Sequence, residues 1–177
     1  VHNWTQDTAY NREMFLTYTV PFWIEYYFKD SRYQTVGGRP LLGIYNYANL
    51  KSAFGTPQEI AAVIEAMGDL CQEAGVGRPY VVLSTYLVDF SPGAFELYQS
   101  SGMDASYAYN MGENWGDEQL AYHNRGADAA ALMDGYDYIP TITIGYDSYV
   151  WGGNPGVKIT PEDFETYLYT LDQEIMP

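Results

Sequence analysis

The sequence has 177 residues, of which 47% are hydrophobic and 17% aromatic, enough for one domain with a substantial core and short for two. Its 8 Lys and Arg against 23 Asp and Glu give a net charge of −15, which disfavours nucleic acid and anionic lipid as partners. No apolar run approaches the roughly 20 residues that a membrane span needs, so we expect no membrane insertion.

The aromatic residues favour a different partner. The 19 Tyr and 4 Trp provide flat apolar faces with hydrogen-bonding edges, which suit the rings and hydroxyls of sugars. Most aromatic side chains fill cores, so only their placement can support this idea. Cys71 has no partner for an internal disulfide, so it indicates neither an oxidising nor a reducing compartment. The location is left as unknown, with an extracellular or periplasmic one slightly favoured.

Helix-start signals recur along the chain. The clearest is Thr56-Pro57-Gln58-Glu59, which combines a capping hydroxyl, a first-turn proline and a capping-box glutamate, with Gly75 as the stop. Further helices are predicted from about Arg12 to Phe28 with a kink or restart at Pro21, after Ser91-Pro92, from about Asp117 to Met133, and after Thr160-Pro161. Cys71 is expected to pack inside and His123 to lie on a helix surface.

Short runs between these helices suit strands, at Pro40–Tyr47, Tyr80–Tyr86, Ala105–Asn110 and Thr141–Tyr146. Strands separated by a helix usually run parallel, and the nearly continuous apolar runs of the first two are typical of a sheet covered on both faces. The sequence therefore predicts an α/β fold with parallel strands alternating with helices.

In such folds ligands bind at the carboxyl ends of the strands. Aromatic and polar residues occur together there, and we interpret them as a sugar-binding site; the candidates are Tyr45, Tyr109, Asn110, Trp115, Tyr146, Asp147 and Trp151. The long Gly- and aromatic-rich region from 147 to 159 strengthens the case for Asp147 and Trp151. Tyr is also common at the wet end of a buried strand without any ligand.

Other chemistry has less support. Glycoside hydrolysis needs two carboxyl groups about 5 to 10 Å apart. The acidic residues at or just past predicted strand ends are Asp147 and Glu113, which makes them weak candidates for catalysis. An Asp at a strand end can equally cap the following turn. His2 and His123 lie far apart, which disfavours a zinc site or a catalytic triad, and no spaced acidic ladder suggests calcium. Gly37-Gly38 precedes a strand and is interpreted as a turn rather than a phosphate loop. No cofactor or metal is expected.

Several motifs in a fixed order resemble the glycoside hydrolase family 99-like domain, also called the WbsX-like domain of polysaccharide-processing proteins. They are Phe28-Lys29-Asp30-Ser31-Arg32-Tyr33, Gly38-Arg39-Pro40, Gly102-Met103-Asp104-Ala105-Ser106-Tyr107, Pro140-Thr141-Ile142-Thr143-Ile144-Gly145-Tyr146-Asp147-Ser148 and Thr160-Pro161-Glu162-Asp163-Phe164. The sequence departs from the family pattern at Ala108 and at Tyr149-Val150-Trp151, so substrate identity does not transfer.

The resemblance implies a (β/α)8 TIM-type barrel that hydrolyses glycosidic bonds in a polysaccharide or glycan. It also implies that residues 1–177 are a single middle segment, lacking the first and last barrel strands, with the catalytic glutamates on an Asn-Glu-Trp-x-Glu strand outside this chain. The expected partners are then an oligosaccharide or polysaccharide substrate and the remaining barrel segments of the same protein.

Three alternatives stay open at this point. The protein could be a non-catalytic glycan-binding or scaffold protein, or a glycosyltransferase of polysaccharide biosynthesis. The chain could also be a self-contained four-stranded α/β domain with a signalling or structural role.

Overall fold

The computed structural model describes residues 5–85, 90–108, 117–142 and 159–175. Its α-helices are α1 Thr8–Met14, α2 Val20–Trp23, α3 Tyr47–Phe54, α4 Pro57–Glu73, α5 Pro92–Ser100, α6 Asp117–Ala131 and α7 Pro161–Thr170. Its strands are β1 Thr35–Val36, β2 Arg39–Ile44, β3 Tyr80–Thr85, β4 Ala105–Ala108 and β5 Asp137–Ile139. Within these residues no helix is both long and apolar enough to cross a membrane.

The first helical run contains π-helical turns. The turn Phe15–Thr19 separates α1 from α2, and Ile24–Phe28 follows α2. Pro21 lies in the first turn of α2, and the backbone before it stays helical at Thr19 and Val20. The predicted helical run to Phe28 is therefore present, and it passes Pro21 without leaving the helical conformation. Val20 and Ile24 are buried on the same side of this run.

The predicted helix starts at the Thr-Pro pairs are confirmed. Thr56 and Glu59 form a reciprocal capping box at the start of α4, and Thr160 and Asp163 form another at α7. Cys71 is fully buried on α4, also as predicted. The predicted strand Pro40–Tyr47 was too long, because the Asn46 side chain accepts a hydrogen bond from the Asn49 N–H and caps helix α3, which begins at Tyr47.

The sheet has the strand order β1-β2-β3-β4-β5. Strands β1 and β2 are antiparallel, and the Gly37-Gly38 turn between them has positive φ at both residues, which glycine adopts without steric cost. Strands β2 and β3 are parallel, with Leu41 opposite Tyr80 and Ile44 opposite Leu83. The prediction of parallel strands alternating with helices is therefore confirmed for this pair.

The structure forms one strand that the sequence analysis did not predict, and it tests the predicted strand Thr141–Tyr146 only at its first two residues. The structure forms β5 at Asp137–Ile139, before Pro140, whereas Thr141 and Ile142 are not in a strand and residues 143–146 lie outside the described ranges. Proline cannot donate to a sheet, which accounts for the end of β5 at Ile139. The alternation of Tyr136 and Tyr138 was the signal that sequence reasoning overlooked.

The chain divides into two compact units, residues 1–84 with 96–105 and residues 85–95 with 106–177. The first unit buries side chains from α4, β3 and the first helical run, among them Phe15, Ile60, Met67, Cys71 and Leu83. The second buries Phe90, Phe95, Ala129, Tyr136 and Leu171.

Candidate functional site

The carboxyl end of β2 carries the part of the predicted sugar site that the structure describes. Tyr45 follows β2 directly and is 57% exposed. The next two residues are structural, since Asn46 caps α3 and the Tyr47 hydroxyl lies 2.7 Å from the Ser101 hydroxyl. Tyr45 therefore presents aromatic surface to solvent at the edge where barrels bind ligands.

The other predicted site residues lie outside the described part of the chain: Tyr109, Asn110, Glu113, Trp115, Tyr146, Asp147 and Trp151. Their assignment to sugar binding, and that of Asp147 and Glu113 to catalysis, stays a prediction. At the end of β3, Ser84 and Thr85 are both buried, and Thr85 Oγ1 donates to the Tyr107 carbonyl at 3.2 Å.

A second polar cluster, missed by sequence reasoning, lies at the amino ends of the strands. Arg39, the first residue of β2, donates through Nη2 to both carboxylate oxygens of Asp104 at 2.8 Å. The same guanidinium donates to the carbonyls of Arg78 and Pro79, at 3.2 and 2.8 Å, and lies over the Tyr80 ring.

Asp104 is fixed from the other side by β3. Its carboxylate accepts from the Val81 N–H at 2.8 Å, and its own N–H donates to the Val81 carbonyl at 2.8 Å. Arg39 and Asp104 belong to two of the sequence motifs described above. Because they lie 65 residues apart, no local pattern in the sequence predicted their contact. Because Arg39 Nε and Nη2 and both Asp104 carboxylate oxygens have protein partners, we assign the cluster the role of holding the ends of β2 and β3 together.

A cleft of about 240 Å³ adjoins this cluster and is lined in part by Arg39, Glu65, Arg78 and Asp104. The Arg78 guanidinium pairs there with Asp69 and with Glu65. Because the cations already have carboxylate partners and the cleft lies at the amino ends of the strands, we assign it a structural role.

His123 corrects a prediction. It was expected on a helix surface, yet it is fully buried, with Nδ1 2.5 Å from the Tyr138 hydroxyl. Burial lowers the pKa of His123 to about 4, against a smaller opposing effect of the Thr141 backbone, and burial also raises the pKa of Tyr138. His123 of α6 is covered by Tyr138 of β5, a contact between two different elements that the sequence of α6 alone does not reveal.

This arrangement keeps His123 as a neutral imidazole at neutral pH. Around the pair, Phe90 contacts the Tyr138 ring at a centroid distance of 5.1 Å. An uncharged, enclosed imidazole suits packing rather than proton transfer to a ligand. Among the described residues, no group of three or more His, Cys, Asp or Glu side chains could hold a metal ion.

The parallel strands with intervening helices define an α/β chain with the fold of part of a (β/α) barrel. Comparison with solved structures identifies the particular barrel that it resembles. The chain matches the GH99 endo-α-mannosidase from Bacteroides thetaiotaomicron with a TM-score of 0.53 and 17% identity, over 78% of this chain and 39% of that one. It matches the same enzyme in complex with bis-tris-propane with a TM-score of 0.56 and 17% identity, over 83% and 42%.

The chain thus spans about 40% of the length of the structures that it matches. The sequence matches no family model, and no curated protein matches it. At this level of identity the likeness concerns the fold, and at that level the predicted resemblance to glycoside hydrolase family 99 and to part of a TIM-type barrel is confirmed.

Proposed function

We propose that this chain is part of a carbohydrate-active barrel protein that hydrolyses glycosidic bonds in a polysaccharide or glycan. The observation that carries the proposal is the fold shared with two endo-α-mannosidase structures over about four fifths of the chain. Because the chain spans less than half of those structures, we place the catalytic glutamates on another segment of the same barrel.

The proposed sugar-binding wall is the carboxyl edge of the sheet, with Tyr45, Tyr109, Asn110, Trp115, Tyr146, Asp147 and Trp151 as its residues. The exposure of Tyr45 at the end of β2 supports this assignment, because an aromatic face open to solvent at that edge can take the apolar face of a pyranose. The net charge of −15 does not oppose the binding of a neutral sugar. The names of the two similar structures make α-mannosides the first substrates to test.

A second candidate is a non-catalytic glycan-binding protein. The described residues at the carboxyl ends of β2 and β3 are Tyr45, Asn46, Ser84 and Thr85, and none of them carries a carboxylate. Hydrolysis by the usual two-carboxylate route therefore depends on residues outside this group.

One experiment separates the two candidates. The complete gene product is incubated with α-mannose oligosaccharides and with a panel of other glycans, binding is measured by calorimetry, and products are separated by chromatography. The proposed hydrolase binds and cleaves at least one glycan. Binding without cleavage favours the glycan-binding protein, and the absence of binding to the whole panel rejects both.

The site is tested with three variants and a matched control. Replacing Tyr45, Asp147 or Trp151 by Ala is expected to weaken binding about tenfold each, since each removes a ring or hydrogen-bonding group from the sugar. Tyr169→Ala is the control, because Tyr169 is 68% exposed on helix α7 rather than at a strand end. If all three variants bind as tightly as the control, the site assignment is wrong.

A further inference from the structure

The first helical run ends in a π-helical turn, Ile24–Phe28, that presents aromatic rings to solvent. Tyr26 and Tyr27 lie in this turn and are 65% and 48% exposed. Both rings contact the ring of Phe22, at centroid distances of 4.7 and 5.9 Å. Single π-helical turns are rare and are frequently found at functional sites, so the surface beside this turn is a candidate site.

A cleft of about 260 Å³ lies at this surface and is lined by Tyr26, Tyr27, Asp30, Arg32 and Tyr33. Backbone hydrogen bonds fix the loop that forms it. The Asp30 N–H donates to the Tyr27 carbonyl at 3.0 Å, and the Tyr33 N–H donates to the Asp30 carbonyl at 2.9 Å. The rings of Tyr27 and Tyr33 have their centroids 6.5 Å apart. The walls of the cleft are therefore formed without a ligand.

Asp30 and Arg32 form a polar pair in the cleft. Arg32 donates through Nε to Oδ1 of Asp30 at 3.0 Å and through Nη2 to Oδ2 at 2.6 Å. These hydrogen bonds lower the pKa of Asp30, so its carboxylate is ionised at neutral pH. Among the described residues, none hydrogen-bonds to Arg32 Nη1 or to the hydroxyls of Tyr26 and Tyr27. Donors and acceptors thus remain open beside the aromatic rings.

We propose that this cleft is a further sugar-binding site, in which one pyranose ring of a neutral glycan lies on Tyr26 and Tyr27 and its hydroxyls hydrogen-bond to Asp30 and Arg32. A tyrosine ring takes the apolar face of a sugar. A carboxylate next to a guanidinium offers acceptors and donors side by side, which suits neighbouring hydroxyls that both donate and accept. The volume lies just below the roughly 300 to 1,000 Å³ of drug-sized pockets, which suits a single sugar unit.

Other ligands fit the cleft less well. Tyrosine rings with a carboxylate also recognise quaternary ammonium groups, but here Arg32 already neutralises Asp30. An anion such as phosphate would approach a chain of net charge −15, at a guanidinium that already has a carboxylate partner. A neutral sugar binds without breaking this ion pair.

The cleft is separate in sequence from the carboxyl-edge site proposed above. Its lining residues all precede β1, whereas Tyr45 follows β2, and the two sites share no residue. This inference therefore does not rest on the proposed function.

The test is affinity electrophoresis of the full-length protein in gels that contain α-mannan, β-glucan or xylan. We expect at least one polysaccharide to retard the wild type, and Tyr26→Ala and Tyr27→Ala each to raise its dissociation constant about tenfold. Tyr169→Ala and Tyr10→Ala are the matched controls, because Tyr169 and Tyr10 are 68% and 42% exposed and do not line the cleft. The proposal is overturned if no polysaccharide retards the wild type, or if the cleft variants bind as the controls do.

Arg32→Ala separates binding from folding. The Arg32 side chain is 88% exposed, so its loss should weaken polysaccharide binding about tenfold while the urea concentration at the midpoint of unfolding stays the same. Unchanged binding in Arg32→Ala contradicts the proposed role of the polar pair.

Two further measurements distinguish this site from its rivals. Tyr45→Ala in the same gels reports on the carboxyl edge. If Tyr45→Ala weakens binding and the cleft variants do not, the cleft is not a sugar site, whereas the proposed function stands. Calorimetry with tetramethylammonium checks the other ligand class, since binding that Tyr27→Ala abolishes would identify a cation site and overturn the proposal.

Discussion

Arg39 and Asp104 lie 65 residues apart in sequence, and the guanidinium of one holds both carboxylate oxygens of the other at 2.8 Å. The pair joins the start of β2 to the residue before β4, while Asp104 also exchanges two hydrogen bonds with Val81 of β3. Two motifs that resemble those of carbohydrate-active barrels thus meet in a structural contact, at the end of the strands opposite the expected ligand site.

We expect Arg39→Ala to lower the free energy of unfolding by about 1 to 3 kcal/mol, because it leaves the Asp104 carboxylate and two carbonyls without this donor. The measurement is the urea concentration at the midpoint of unfolding of each variant. Arg32→Ala is the control, since Arg32 pairs with Asp30 on the surface with its side chain 88% exposed, and its loss should barely change stability. Equal midpoints for the two variants would mean that Arg39 does not tie the strands together.

Acid is expected to destabilise the protein through His123. Its pKa is about 4 when folded and about 6.5 when unfolded, so the unfolded state binds the extra proton between these values. The contribution to stability is complete at neutral pH and is lost as the pH falls through 6.5 towards 4, by roughly 3 kcal/mol in total.

The measurement compares urea unfolding of the wild type and of His123→Gln from pH 7.5 to 4. Carboxylate titrations affect both proteins, so the difference between the two curves isolates His123. The difference should shrink or change sign below pH 6.5. A difference that does not vary with pH would show that the pKa of His123 is the same in the folded and unfolded states, which would contradict the prediction.

The packing of α6 on β5 makes a further prediction. A Cβ on Gly126 would lie 2.7 Å from Cζ of Tyr138, so Gly126→Ala must displace the ring that covers His123. We expect a loss of about 1 to 3 kcal/mol, as for an overpacked core. Gly93→Ala on α5 is the control, because its Cβ meets nothing within 4 Å, and it should stabilise slightly. Thermal unfolding of both variants provides the comparison.

Cys71 is expected to resist thiol reagents in the folded protein. The side chain is fully buried, and burial raises its pKa to about 11, so little thiolate forms near pH 8. Labelling with a disulfide reagent should be about a hundredfold slower in buffer than in 8 M urea. In urea, one thiol per chain should react, because Cys71 is the one cysteine of the sequence. Equal labelling rates in buffer and in urea would contradict the prediction and indicate that α4 opens readily.

Local signals predicted the helices well, because each of these signals needs only a few neighbouring residues. The capping boxes at Thr56 and Thr160 depend on contacts three residues apart, and their helices begin where the sequence placed them. The end of β2 was harder to predict, since Asn46 competes for the backbone by capping α3. Of the predicted site residues the structure describes only Tyr45, which is exposed directly after β2, and its role in sugar binding stays a prediction.

By itself the sequence determined the alternation of strands and helices, the acidic surface charge and the motif order that resembles a glycoside hydrolase barrel. These features depend on composition and on short-range patterns. Only the tertiary structure decided which distant residues meet, as Arg39 does with Asp104 and His123 with Tyr138. Such contacts depend on strand register and on the packing of elements that lie far apart in the chain, and no local pattern encodes them.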